Sequence, residues 1–300
     1  MLKIAYSPTY SHQLPEGHRF PMEKYDILYS QLLYEGTAEE DNFFVPEVLA
    51  ENIITTIHTS VYWHQLKNLI LSPAEVRASG FPHSHELITR ERIIAQGTLN
   101  STFFALQHGI SANIAGGTHH SFTDRGEGFC LLNDLAMAAQ YLLDNKRYTK
   151  ILILDLDVHQ GNGTAEIFKN EKRVFTMSMH GEKNYPLRKE NSDLDIGLPD
   201  GIGDDEYLKK LAYHLPLVID TFQPEIIFYQ AGVDILITDK LGRLAVTHQG
   251  CKKRDEFVLK LTKKNKIPIV VTMGGGYSPK ISDIIEAHAN TFRAIQNIYF

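Results

Sequence analysis

Six short runs rich in apolar and β-branched residues, each flanked by turn residues, constrain the fold more than any other feature of the chain. They lie at 2–6 (LKIAY), 112–115 (ANIA), 150–156 (KILILDL), 173–179 (RVFTMSM), 225–231 (EIIFYQA) and 267–273 (IPIVVTM). Segments of helical periodicity fill most of the intervals, at 86–109, 133–146, 204–222 and 278–297. Apolar strands alternating with helices build an open, mostly parallel β-sheet sandwiched by helices, an α/β fold. In such sheets ligands bind beyond the carboxyl ends of the strands. A length of 300 residues leaves room for two domains. No linker, charge block, low-complexity segment or repeat divides the chain, so residues 1–300 read as a single domain.

The bulk numbers exclude several functions. A net charge of −6 and a pI near 6.2 argue against general binding to nucleic acid or anionic membranes. The cluster Lys252, Lys253, Arg254 and the run Lys263, Lys264, Lys266 read as a solvated helix face. The start MLKIAYSPTY has no basic region followed by an apolar run, and nowhere do 18 apolar residues follow one another, so the expected location is cytoplasmic. The sequons at Asn100 and Asn162 are then chance matches. Cys130 and Cys251 form no CxxC pair, so any metal here must use oxygen and nitrogen ligands.

The informative residues follow the strands. GGTHH follows 112–115, and Asp157-Val158-His159 ends the stretch ILILDLDVHQGNG. His180 follows 173–179, Gly232-Val233-Asp234 follows 225–231, and Gly274-Gly275-Gly276-Tyr277 follows 267–273. Taken singly, paired histidines are often surface-loop residues and an Asp after a strand is usually a helix N-cap; five such ends at one sheet edge form a site. Along an extended strand Asp155, Asp157 and His159 share one face, and charge there is costly unless paired or bound to metal. Asp157, His159 and Asp234 suit Zn or a similar divalent ion and leave positions open for water and substrate. Two carboxylates formally neutralise such an ion, so bound water is acidified less than at a three-histidine site and needs a base. His119 and His120 supply it, and Tyr277 is placed to donate to an oxyanion. The set reads as metal-assisted hydrolysis of an acyl group.

These residues resemble the zinc-dependent histone deacetylase family, of the arginase-deacetylase fold. HRFPMEKY (18–25), GGTHH, GEGFCLLND (126–134), DLDVHQGNGT, AGVD and GGGY occur in that family's order and spacing over nearly the whole chain. The segment NYPLRKENSDLDIGLPDG followed by DDEYL looks most like the class IV and bacterial members. The resemblance implies one catalytic Zn²⁺ on Asp157, His159 and Asp234, a dyad of His119 and His120 as base and acid, and Tyr277 as oxyanion donor. It implies that Asp155 bonds His119, while Asn162 stands where some members carry an aspartate that partners the second histidine. A structural K⁺ is implied on Asp155, the Ser178 hydroxyl and main-chain carbonyls of Asp157, His159 and Met179. Phe129, Gly128 and Tyr185 would flank an acyl-lysine tunnel, with Arg19 and Gly275 at its inner end. Cys130, without an activator, reads as a small buried residue, and the remaining histidines, His83 and His85 among them, as surface or loop residues.

The implied activity is a zinc-dependent deacylase in which a metal-bound water attacks an N-acetyl-lysine, a longer N-acyl-lysine or a related acylated amine. Two other readings carry less weight. A binuclear manganese hydrolase of the arginase type needs bridging carboxylates where Gly161 and Leu236 stand. A non-catalytic acyl-lysine-binding module would have no use for a full catalytic set.

Overall fold

The computed structural model describes residues 1–146 and 148–300. Its strands are β1 Ile4–Ala5, β2 Phe43–Phe44, β3 Ile110–Asn113, β4 Ile151–Asp155, β5 Val174–Gly181, β6 Leu194–Leu198, β7 Ile226–Gln230 and β8 Ile269–Thr272. The helices are α1 Lys24–Tyr34, α2 Glu51–Ile54, α3 Ser60–Lys67, α4 Pro73–Ser79, α5 His85–His108, α6 Asp134–Asp144, α7 Asn162–Phe168, α8 Asp204–Phe222, α9 His248–Asn265 and α10 Ile281–Tyr299. All eight strands form one sheet in the order β2-β1-β3-β8-β7-β4-β5-β6, every pair parallel. Among the described residues no helix is long and apolar enough to cross a membrane.

Every residue of β3, β4, β7 and β8 is buried, which is why these strands read as continuous apolar runs. Asn113, Thr272, Gln230, Asp155 and Ser178 stand in register across five strands, so their side chains share one face at the carboxyl edge. The Asn113 amide reaches the Ile94 carbonyl of α5, which places α5 on that face. Tyr229, one residue before Gln230, points the other way and donates to Asp255 of α9. Helices thus cover both faces. The edge strands β2 and β6 carry no signal in the sequence that separates them from loops: β2 is two residues long, and β6 alternates exposed and buried positions within a polar segment.

Two expectations fail here. Strand β4 stops at Asp155, so the alternation predicted through Asp157 and His159 does not extend to them; a turn carries both into place. Arg254 is not on a solvated face but fully buried. It pairs with Asp255 at 2.9 Å and donates to the carbonyls of Leu156, Ala231 and Gly232, where β4 and β7 leave the sheet. Those carbonyls have left the ladder and need buried donors, which the guanidinium fork supplies. The neighbouring Lys253, Lys263, Lys264 and Lys266 are exposed as expected.

Candidate metal and catalytic site

Beyond β4 the chain folds its own carboxylates onto its backbone. The amide of Asp157 donates to Asp155 Oδ1 at 3.1 Å, and that of His159 to Asp157 Oδ1 at 3.0 Å. The Val158 amide reaches Asp234 Oδ1 at 2.9 Å, tying the ends of β4 and β7 together. Asp157 Oδ2 accepts from the Gly275 amide at 2.8 Å and the Gln230 side chain at 3.3 Å. Gly275 has to be glycine, because a Cβ there would lie 2.0 Å from Asp234 Oδ2. His159 Nδ1 then stands 3.1 Å from both Asp157 Oδ1 and Asp234 Oδ2.

One ligand atom from each of Asp157, His159 and Asp234 lies within 4.8 Å of the others, and all three residues are buried. The donor set fits a divalent ion on its own electrostatics. Burial pushes the Asp234 carboxyl up to about 7, helped by the charge of Asp157. Burial disfavours the His159 imidazolium, but bonds to the two carboxylates outweigh it and raise that group to about 10. Two clustered carboxylates in a dry site demand a positive charge: a proton meets the demand when no metal does.

The GGTHH turn after β3 is held by Asp134 at the start of α6, which accepts from the amides of Gly117 and Thr118 at 3.0 and 2.8 Å. His119 Nδ1 donates to Asp155 Oδ2 at 2.6 Å, and His120 Nδ1 to Asn162 Oδ1 at 2.6 Å. The two rings lie 4.0 Å apart, yet their partners set them differently. Burial opposes charge on His119, but the carboxylates of Asp155 and Asp157 overcome it and raise its pKa. Burial, reinforced by the charges of His119 and His159, drives His120 well below the usual imidazole range, against a weaker upward pull from Asn162. Tyr277 follows the glycine turn with its amide on Asp239, and burial keeps its phenol protonated.

Tyr277, His120 and His159 line a cavity of about 240 Å³ that also takes in Gly128, Phe129 and Tyr185. Phe129 adopts a left-handed backbone with φ +67°, a conformation that costs about 1–2 kcal/mol outside glycine. Gly128 at φ +54° lets the backbone pass His120, whose Cδ2 would lie 2.6 Å from a Cβ. Tyr185 packs edge-on to His120 at 4.9 Å and donates to Glu127 at 2.8 Å. An inner cavity of about 40 Å³ lies behind, lined among others by Gly275, Cys130 and Arg90. Arg19 therefore departs from expectation: it lines the outer cavity, and Arg90 of α5 lines the inner one.

Other expected residues fall into place or out of it. Ser178 and Met179 are buried beside Asp155 on β5. His180 faces Ser178 and Asp195 instead of the metal-ligand cluster. Cys130 is buried, and burial raises its thiol well above the usual range. A side chain at Gly161 would meet Asp155 Oδ2 at 2.3 Å, so that position has no room for the extra carboxylate of a binuclear site. Two histidines taken for surface residues are buried: His58 joins the Phe122 carbonyl to the Asn133 amide, and His288 lies under Gly276. Lys24, inside the HRFPMEKY stretch, carried no signal of its own. It is buried beneath the glycine turn, donates to the Gly274 carbonyl at 3.0 Å, and is lowered by burial to about 8.

Comparisons with known proteins give the family and the fold. The family model of the histone deacetylase domain matches residues 18–292. An uncharacterized protein of Picosynechococcus sp. is 40% identical over 296 residues, covering 99% of each chain. Histone deacetylase 2 of Arabidopsis thaliana is 28% identical over 296 residues, covering 95% of this chain and 76% of its own. In fold, the crystal structure of the HDA15 HD domain superposes with a TM-score of 0.80 at 20% identity, over 96% of this chain and 89% of that one.

Proposed function

The chain belongs to the histone deacetylase family and is a deacetylase, and from that premise we propose a zinc-dependent deacylase that hydrolyses the side-chain amide of N-acetyl-lysine or a longer N-acyl-lysine. The observation that carries the reading is the meeting of three buried ligand atoms, a histidine pair with unlike partners and a protonated tyrosine around the outer cavity and the inner one behind it. Asp157, His159 and Asp234 would hold the ion, which supplies Lewis acidity toward the acyl carbonyl and toward water.

The chain's own groups do the rest. His120 has its Nδ1 proton on Asn162, which leaves Nε2 free to take a proton from water. His119, held toward its charged form by Asp155, supplies positive charge beside the reacting carbonyl. The Tyr277 hydroxyl donates to the oxygen that turns anionic as the carbonyl is attacked. The proton taken up by the dyad returns to the leaving lysine amine, so the pair ends the cycle as it began. Phe129 and Tyr185 give the lysine methylenes an apolar passage. On the same reading a K⁺ on Asp155, Ser178 and the carbonyls of Asp157, His159 and Met179 steadies the turn after β4; the register of Asp155 with Ser178 supports it.

The test is turnover by zinc-loaded protein against lysine peptides acylated with chains of graded length, alongside acetylated polyamines. Release of acid from the lysine series is the expected result. Turnover of none of the acylated lysine peptides would overturn the proposal.

A further inference from the structure

The chain is acidic as a whole, with a net charge of −6, but the mouth of its outer cavity is basic. Two arginines line it. Arg19, just before Phe20, holds its guanidinium 5.9 Å from the centre of the Phe129 ring. Arg77 comes from the last turn of α4. No aspartate or glutamate lines this cavity among the described residues. Neither guanidinium has a carboxylate partner there. Glu127, beside Tyr185, is already taken by Arg125 Nε and the Tyr185 hydroxyl, both at 2.8 Å. Two guanidiniums without a carboxylate partner among the described residues thus line the cavity that, on the deacylase reading, takes in the acylated side chain.

Resting on the deacylase reading, we infer that the enzyme selects acyl-lysines carrying a carboxylate next to the lysine backbone. The carboxylate is either the free α-carboxylate of an acyl-lysine or an acidic side chain flanking it in a peptide. Arginine forks match carboxylate geometry and pair with it bidentately. Acylated polyamines, whose remaining amines are cationic, are disfavoured by the same charges. Both arginines are exposed, so each pairing is of the modest rim type, and the two together give a preference of about tenfold at low salt.

The experiment compares kcat/KM in matched pairs: Nε-acetyl-lysine with a free or an amidated α-carboxylate, and acetyl-lysine peptides with Asp, Asn or Lys in the flanking positions. An acetylated diamine completes the set. Ratios within a pair cancel any general loss of activity in a variant. At least one pair should favour its carboxylate member about tenfold, with the ratio shrinking toward one at high salt and in the variant carrying both Arg19→Gln and Arg77→Gln. Arg77→Glu should turn the preference toward the Lys-flanked peptide. Ratios near one in wild type, a faster diamine, or a preference that survives the double substitution would overturn the inference while the deacylase reading stands. Failure of every substrate would remove the reading beneath it.

Discussion

Replacing Asn162 by Asp tests how the histidine pair divides its work. The amide oxygen accepts from His120 Nδ1 at 2.6 Å, and an aspartate oxygen in that place would face the ring at the same distance. With charge centres about 4 Å apart and an effective dielectric near 20, the attraction is about 4 kcal/mol; the cost of burying a new carboxylate leaves a rise of about one to three pKa units. In wild type, burial and the neighbouring histidine charges keep His120 neutral well below pH 6.5. A base acts in its unprotonated form, so raising its pKa moves the acidic limb of kcat/KM to higher pH. We expect the limb in Asn162→Asp to move up by about one to three pH units in protein shown to be folded and metal-loaded. The assay is kcat/KM on an acetyl-lysine peptide between about pH 5 and 9. A limb that stays in place or moves down would refute the assignment of His120 as the base.

Tyr277→Phe should lower kcat by about 10²-fold, the scale of one lost oxyanion donor, with metal content unchanged; near-normal turnover would refute that role. Arg254→Met should destabilise the protein by about 3–5 kcal/mol in chemical denaturation, because Asp255 is left buried without its partner; a loss below about 1 kcal/mol would contradict the packing described. His58 is lowered by burial from 6.5 to about 4, so between those values the unfolded chain takes up a proton that the folded one refuses. Stability should therefore be lost as the pH is lowered through that window, by about 3 kcal/mol from this group. His58→Gln should flatten that part of the stability profile, and an unchanged slope would count against it.

The central strands were legible because both their faces are buried, which forces continuous apolar runs, and the polar groups at their ends stood out against that background. Asp157, His159, Asp234, His119, His120 and Tyr277 were ambiguous one by one and legible only together, as polar groups at the ends of adjacent strands; the structure clusters the three ligands and lines the adjoining cavities with the dyad and Tyr277. What the sequence hid were groups whose role depends on distant backbone. Arg254 looks like part of a surface basic cluster until the carbonyls of Leu156, Ala231 and Gly232 converge on it. Lys24 acquires its partner 250 residues away. Arg19 was placed at the inner end by the resemblance, which gives the loop but not the direction of an exposed side chain.

On the proposed reading, one divalent ion on Asp157, His159 and Asp234 makes this chain a deacylase. The most direct test of that reading is to strip the metal with a chelator and titrate zinc back while following both bound metal and acetyl-lysine hydrolysis. Activity should vanish on stripping and return in full at about one zinc per chain, while Asp234→Ala should neither bind the ion tightly nor recover. Hydrolysis that survives stripping, or that returns only with two ions per chain, would contradict the account.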